Sequence, residues 1–201
     1  MSDGTSTGIW NFGDILDGLA GIMPPDRPAL IHGQCVTTWG RMVARTNNLA
    51  RALIADGAGP GEKLALYLRN HPAYLEATAA AFKARQVHVN VNYRYAADEV
   101  RYILDNSDAT TVVFGREFSA LVSEIRPRLP GVRRWLVVDD GAACEAPGFA
   151  TSFDALADAG DGAALGNERS PDDQFFIYTG GTTGMPKGVM WRQDALRRAM
   201  I

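Results

Sequence analysis

The residues of this chain best equipped for chemistry run Tyr178-Thr179-Gly180-Gly181-Thr182-Thr183-Gly184-Met185-Pro186-Lys187-Gly188. They follow the apolar, strand-like run Gln174-Phe175-Phe176-Ile177. Glycines let backbone N–H groups close on an anion, threonine hydroxyls add donors, and Lys187 supplies a mobile point charge, a combination suited to a nucleotide polyphosphate. Pro186 presets the backbone ahead of Lys187. The bland alternative is a flexible turn between a strand and a helix. Spacing narrows the choice. A Walker A loop needs its lysine directly after a glycine and before Ser or Thr, whereas here Pro186 precedes Lys187 and Gly188 follows it. A dinucleotide fingerprint needs G-x-G-x-x-G, and Gly181-x-x-Gly184 lacks the first glycine.

Other reactive side chains are scattered. His32, His71 and His88 lack the mutual spacing of a metal site or a catalytic triad and read as surface or packing residues. Asn90, Asn92, Tyr93 and Arg94 could face a ligand, although strand-end packing and turn hydrogen bonds also account for them and are the favoured reading. Cys35 and Cys144 are two lone cysteines without metal spacing, which suits a reducing cytoplasm. Arg192, Arg197 and Arg198 form a basic helix face, solvated by default; a helix starting just after the loop would point its positive dipole end at an anion.

The elements that must position the loop alternate between strand and helix. Trp39, Met42, Val43, Thr46, Leu49, Ala50, Leu53 and Ile54 fall at helical spacing, with Thr37 or Thr38 as N-cap and Gly57 as stop. Lys63 to Leu68 reads as a strand, Pro72 opens a helix to about Ala84, and Val87 to Val91 reads as a strand. A helix over about Ala97 to Asn106, a strand over Thr110 to Phe114, a helix over Phe118 to Ile125 and a strand over Trp135 to Val138 follow. The pattern predicts an α/β fold, a doubly wound, mostly parallel sheet with flanking helices. Such sheets bind ligands at the C-terminal ends of strands, where the loop would sit. The segments 139–150 and 160–173 read as surface loops around a short helix near Phe153 to Ala159.

Composition narrows the class. At 46% hydrophobic and 21% charged, the 201 residues are ordinary globular material, and a net charge of −3 gives no reason to expect nucleic acid. The first thirty residues carry several aspartates against Arg27, which speaks against a signal peptide, and no run reaches the ~18 apolar residues of a membrane span. A cytoplasmic location is expected.

The loop resembles the phosphate-binding loop of the adenylate-forming (AMP-binding) superfamily, Y-T-S-G-T-T-G-x-P-K-G, departing from it at Gly180, where serine is usual. Further stretches are similar. Val36-Thr37-Thr38-Trp39-Gly40-Arg41-Met42 parallels "T-Y-x-E-L", and Gly59-Pro60-Gly61-Glu62-Lys63-Leu64-Ala65-Leu66 parallels "G-x-x-x-G-D-x-V-A". Ala81 to Tyr95 parallels "L-x-K-A-G-A-x-x-V-N-x-N-x-R-Y", with Arg85 in place of glycine, and Asp98 to Ala109 parallels "E-L-x-Y-I-L-x-D-S-x-A". Gln193 stands where histidine is common. The pairing of T-G-G-T-T-G with Lys187-Gly188-Val189-Met190-Trp191-Arg192 is most similar to the acyl-CoA synthetase branch acting on fatty acids and steroid side-chain acids.

The resemblance implies an ATP-dependent acid–thiol ligase that couples a carboxylic acid to CoA through an acyl-adenylate, releasing pyrophosphate and AMP. It assigns ATP contacts to Thr179, Gly180, Gly181, Thr182, Thr183, Gly184 and Lys187, with Lys187 also stabilising charge on the phosphates. ATP, Mg2+ and CoA are implied, the Mg2+ ligands, adenine site and C-terminal lysine lying downstream of the loop. The chain therefore reads as an N-terminal portion, inactive by itself. Residues 1–166 would form a first α/β subdomain, and 167–201 would start a second. The strand before the loop is expected to open a separate sheet, leaving Phe175, Phe176, Ile177 and Tyr178 without packing partners, so removal of 167 onward is expected to raise solubility. Two alternatives stay open: a non-catalytic remnant that at most binds nucleotide or a partner, and an adenylation module loading a carrier-protein thiol.

Overall fold

A computed structural model describes residues 11–180 and 185–200, the side chains of 197 and 200 excepted. Its helices are α1 (Phe12–Ile22), α2 (Trp39–Ala55), α3 (Pro72–Lys83), α4 (Ala97–Asn106), α5 (Ser119–Ile125), α6 (Phe153–Ala157) and α7 (Gln193–Met200). Its strands are β1 (Pro28–His32), β2 (Cys35–Thr38), β3 (Lys63–Tyr67), β4 (Val87–Asn90), β5 (Ala109–Gly115), β6 (Arg134–Val138), β7 (Thr151–Ser152), β8 (Gln174–Thr179) and β9 (Lys187–Arg192). β1 and β2 make a separate antiparallel hairpin. The other seven form one sheet in the order β7-β6-β5-β3-β4-β8-β9, parallel except for β9.

Local chemistry sets the boundaries. The Thr38 side chain accepts from Arg41 N at 3.3 Å and caps α2, which stops before Gly57 in the left-handed region at φ 83°. Pro72 opens α3 after His71, whose Nδ1 accepts from Ala73 N. Apolar residues bury both faces of the sheet, as a doubly wound layout requires. One core layer packs Val100, Ile103 and Leu104 of α4 and Val122 and Ile125 of α5 against Val89, Val112 and Phe114. The opposite layer packs α2, α3 and α6 against Leu64, Leu66, Val113 and Leu136. Within it, buried Arg45 bonds to Glu76 at 2.8 and 2.9 Å and to Asp154 and Asp158, tying α2 to α3 and α6.

Two expectations are corrected. β8 opens no separate sheet: it pairs with β4 through Val89 and Phe176, and Phe175, Phe176 and Tyr178 are buried, leaving only Ile177 of the four exposed. The preceding chain delivers β8 to that edge by ion pairs, Arg85 to Asp173 and Arg169 to Asp14 and Asp17. Lys187 also does not lead straight from the loop into a helix. It starts β9, an antiparallel return that carries the chain back down the sheet, so α7 begins beside Asp173, whose carbonyl accepts from Gln193 N at 2.9 Å. A six-residue strand spans about 20 Å, which puts the N-terminus of α7 at the opposite end of the hairpin from the loop and removes its dipole as an aid to anion binding there.

Candidate phosphate loop and adjoining cavity

β8 is fixed from both faces. Phe175 meets Phe12 of α1 edge-on at 5.9 Å between ring centroids, while Phe176 and Tyr178 point into the α4 layer. The Tyr178 hydroxyl donates to Asn106 Oδ1 at 2.8 Å, and its burial raises the phenol above its ordinary pKa. Asn90, the last residue of β4, bonds the Tyr178 backbone twice: its Oδ1 accepts from Tyr178 N at 2.9 Å and its Nδ2 donates to Tyr178 O at 3.3 Å. The side chain thus does the work of a strand partner where the ladder has run out. Asn92 Oδ1 accepts from Arg94 N in a turn. Both asparagines therefore have structural partners, the strand-end and turn roles that sequence left open beside ligand contact.

Across the hairpin, Thr179 pairs with Lys187 and Tyr178 with Gly188. Directly opposed residues project to the same face, so Thr179 and Lys187 flank the loop together, both exposed. A Cβ at Gly188 would lie 2.9 Å from Tyr178 Cζ, and a glycine is what lets the ring lie across the partner strand. Thr179, Gly180 and Lys187 are thereby gathered at the C-terminal end of β8. Gly181, Thr182, Thr183 and Gly184 lie outside the described residues.

Gly180 also lines a cavity of about 600 Å³ at the C-terminal ends of β3, β4 and β8, together with Tyr95, Asn90, Tyr93, His71 and His32. The His32 and His71 rings meet edge-on at 5.3 Å. Burial, reinforced by the neighbouring His32, holds the His71 pKa below its ordinary value. Sequence spacing gave no hint of this pair, because the β1–β2 hairpin that brings His32 over α3 was not anticipated. His88 lies elsewhere, its Nε2 3.4 Å from the Tyr74 hydroxyl, with burial pushing its pKa down to about 4. Among the described residues no group of three His, Cys, Asp or Glu side chains is placed to hold a metal ion, and no helix is long and apolar enough to cross a membrane.

The other departures have local explanations. Arg85 takes the left-handed conformation at φ 61°, which glycine would adopt freely, and its guanidinium is held by Asp173 at 3.0 to 3.2 Å. Buried Gln193 accepts from Phe12 N at 2.7 Å through Oε1, joining the start of α7 to α1. Arg192 pairs with Asp172 and Arg198 with Asp194, so both guanidiniums of the expected basic face that are described are engaged by carboxylates.

Comparison with known proteins agrees with this geometry. The family model described as AMP-binding enzyme matches residues 21–201. The medium/long-chain-fatty-acid–CoA/3-oxocholest-4-en-26-oate–CoA ligase of Mycobacterium marinum is 40% identical over 182 residues, 88% of this chain and 33% of the relative. The 3-oxocholest-4-en-26-oate–CoA ligase of Rhodococcus rhodochrous is 36% identical over 191 residues, 94% and 34%. A Mycobacterium tuberculosis fatty acyl CoA synthetase structure superposes with a TM-score of 0.78 at 26% identity, over 93% of this chain and 35% of that one. The chain spans about a third of the length of the curated relatives it matches.

Proposed function

The chain belongs to the AMP-binding enzyme family, and from that premise we propose that it is the N-terminal part of an ATP-dependent acyl-CoA synthetase acting on fatty or steroid side-chain acids. One observation carries the reading: Thr179, Gly180 and Lys187 converge at the end of a buried parallel strand, beside a 600 Å³ cavity lined by aromatic and amide side chains. In the reaction, a carboxylate oxygen of the acid attacks the α-phosphorus of ATP and pyrophosphate leaves; the CoA thiolate then attacks the acyl carbonyl and AMP leaves. Such transfers rest on positioning and charge stabilisation more than on covalent help from the protein. Backbone N–H groups of Gly180, Gly181 and Gly184 and the hydroxyls of Thr179, Thr182 and Thr183 hold the β- and γ-phosphates. Lys187, opposite Thr179, neutralises charge growing on the departing pyrophosphate. ATP enters with magnesium, whose ligands this reading assigns to residues beyond 201, and the reaction takes place in the cytoplasm.

The test replaces the matched segment of the Mycobacterium marinum ligase with this chain and follows acid-dependent ATP–pyrophosphate exchange with fatty and steroid acids. Exchange that depends on the added acid supports the reading. A chimera that folds with the parent's circular dichroism and melting point yet exchanges no pyrophosphate sinks it.

A further inference from the structure

Among the described residues, the β1–β2 hairpin is hydrogen-bonded to the rest of the molecule only at its base, where Trp39 N donates to Arg27 O at 2.9 Å and Gly40 N to Pro25 O at 2.8 Å. Just above, the strand register slips between Pro28 and Leu30, the kind of bulge at which a two-stranded ribbon bends. Beyond the bulge the hairpin leans over the start of α3. Leu30, Ile31 and His32 line one side of the 600 Å³ cavity, which His71, Pro72 and Leu75 line as well. Ile31 and Leu75 stay 71% and 51% exposed, so no buried core seals the hairpin down. Among the described residues no hydrogen bond or ion pair joins β1 or β2 to α3 or to the seven-stranded sheet. The ring contact of His32 with His71, 5.3 Å between centroids, is the specific link across the gap.

That link is built to hold neutral rings. His71 Nδ1 accepts from Ala73 N at 3.2 Å as the N-cap of α3, so the neutral ring carries its proton on Nε2. A second proton would set a donor against that N–H, at the positive end of the helix dipole. Four titratable groups face His71: Glu76 of α3, Asp154 of α6, Asp140 after β6, and His32 of β1. Burial and His32 oppose its charge more than the three carboxylates favour it. Lifting the hairpin returns water to the ring and withdraws His32, and both changes favour the charged form. We propose that the β1–β2 hairpin is a pH-sensitive flap, held over the cavity by neutral His32 and His71 and lifted about its bulge when the pair is protonated. The lifted form binds more protons, so the docked form is complete above about pH 6.5 and is lost as pH falls. This inference rests on the hairpin and the cavity alone and is independent of what the glycine-rich loop binds.

The test measures the distance between two nitroxide spin labels by pulsed electron resonance. One label sits on Cys144 and the other at the hairpin tip, on a Gln34→Cys, Cys35→Ser chain, clear of the histidine contact. Between pH 7.5 and 5.5 the ratio of displaced to docked hairpin rises up to about tenfold, the ceiling for one histidine returning to its ordinary pKa of about 6.5. His71→Asn keeps an N-cap acceptor for α3 but takes up no proton, and the ratio stops responding to pH. His32→Glu reverses the sign, because a carboxylate draws protonated His71 toward the hairpin: the ratio falls as pH falls. A merely structural contact would let both variants displace the hairpin equally at either pH. Circular dichroism at both pH values confines the comparison to folded chain. A folded parent whose distances are the same at pH 7.5 and 5.5 overturns the flap. A His32→Glu chain that opens in acid as the parent does overturns the histidine pair as its latch.

Discussion

Lys187 and Thr179 were chosen from sequence for their chemistry, and the hairpin register sets them opposite each other on one exposed face. A lysine so placed contributes one charge-assisted contact to phosphate, worth roughly 1.5–3 kcal/mol. In the chimeric ligase, Lys187→Ala should therefore slow acid-dependent pyrophosphate exchange by about ten- to a hundredfold. Thioester formation from preformed acyl-adenylate should change far less, because pyrophosphate has already left. Equal losses in both half-reactions would mean that Lys187 acts through folding. His88 gives a second prediction at this scale. The unfolded chain takes up its proton near pH 6.5, the folded chain only near 4. Between those values the unfolded state binds more protons, so stability is full above about pH 6.5 and falls as pH drops toward 4, by roughly 3 kcal/mol at most. Burial moves His71 in the same direction. Urea midpoints of the chain should fall between pH 7 and 5, and His88→Gln should flatten that fall; a parent midpoint indifferent to pH would contradict the assignment.

Legibility differed from element to element for physical reasons. α4 is legible at its observed limits because Val100, Ile103 and Leu104 mark one buried face, and α2 because Thr38 caps it and Gly57 ends it. α1 was missed: Gly13, Gly18 and Gly21 lower its helix propensity, and it is held by packing instead, with Gly13 so close to Arg169 and the Phe82 carbonyl that a Cβ would lie within 3 Å of both. β9 has no signature in the sequence: Lys187 and Gly188 belong to the loop motif, and all six residues are exposed, so no alternation of a half-buried strand marks it. The loop itself was legible as a motif, but its anchoring was not, since the Asn90 bridge to Tyr178 spans 88 positions. Asn90→Ala removes both bonds to the Tyr178 backbone and should cost about 1–3 kcal/mol. Hydrogen exchange at the Tyr178 amide should accelerate by more than at Phe114 in the core of β5. Equal acceleration at both would show a global loss of stability and no local anchoring role.

At the scale of the whole molecule, the division at 166/167 can be put to a direct test, and the geometry reverses the solubility expected from sequence. Residues beyond 166 are mortar for what precedes them. Asn167 Nδ2 donates to Lys83 O at 2.9 Å, Arg169, buried to 4% exposure, bridges Asp14 and Asp17 at 2.8 and 2.7 Å, and Asn11 donates to Ser170 O and to Asp173. β8 covers the edge of β4, and Phe176 and Tyr178 fill the layer under α4. A chain ending at 166 would lose those two buried aromatics, each worth about 1.5–3 kcal/mol, release α1 from its ion pairs and expose an apolar parallel edge to other molecules. The uncut chain keeps its own exposed strip, Val189, Met190 and Trp191 on β9, but on an antiparallel edge that is already one strand further out. Residues 1–166 should therefore melt at lower urea than the 201-residue chain and scatter more light at equal concentration, with weaker helical circular dichroism. If the shorter chain is instead the more soluble and keeps the longer chain's urea midpoint, residues 1–166 are a self-sufficient subdomain and the contacts made by 167–179 contribute little to holding it together.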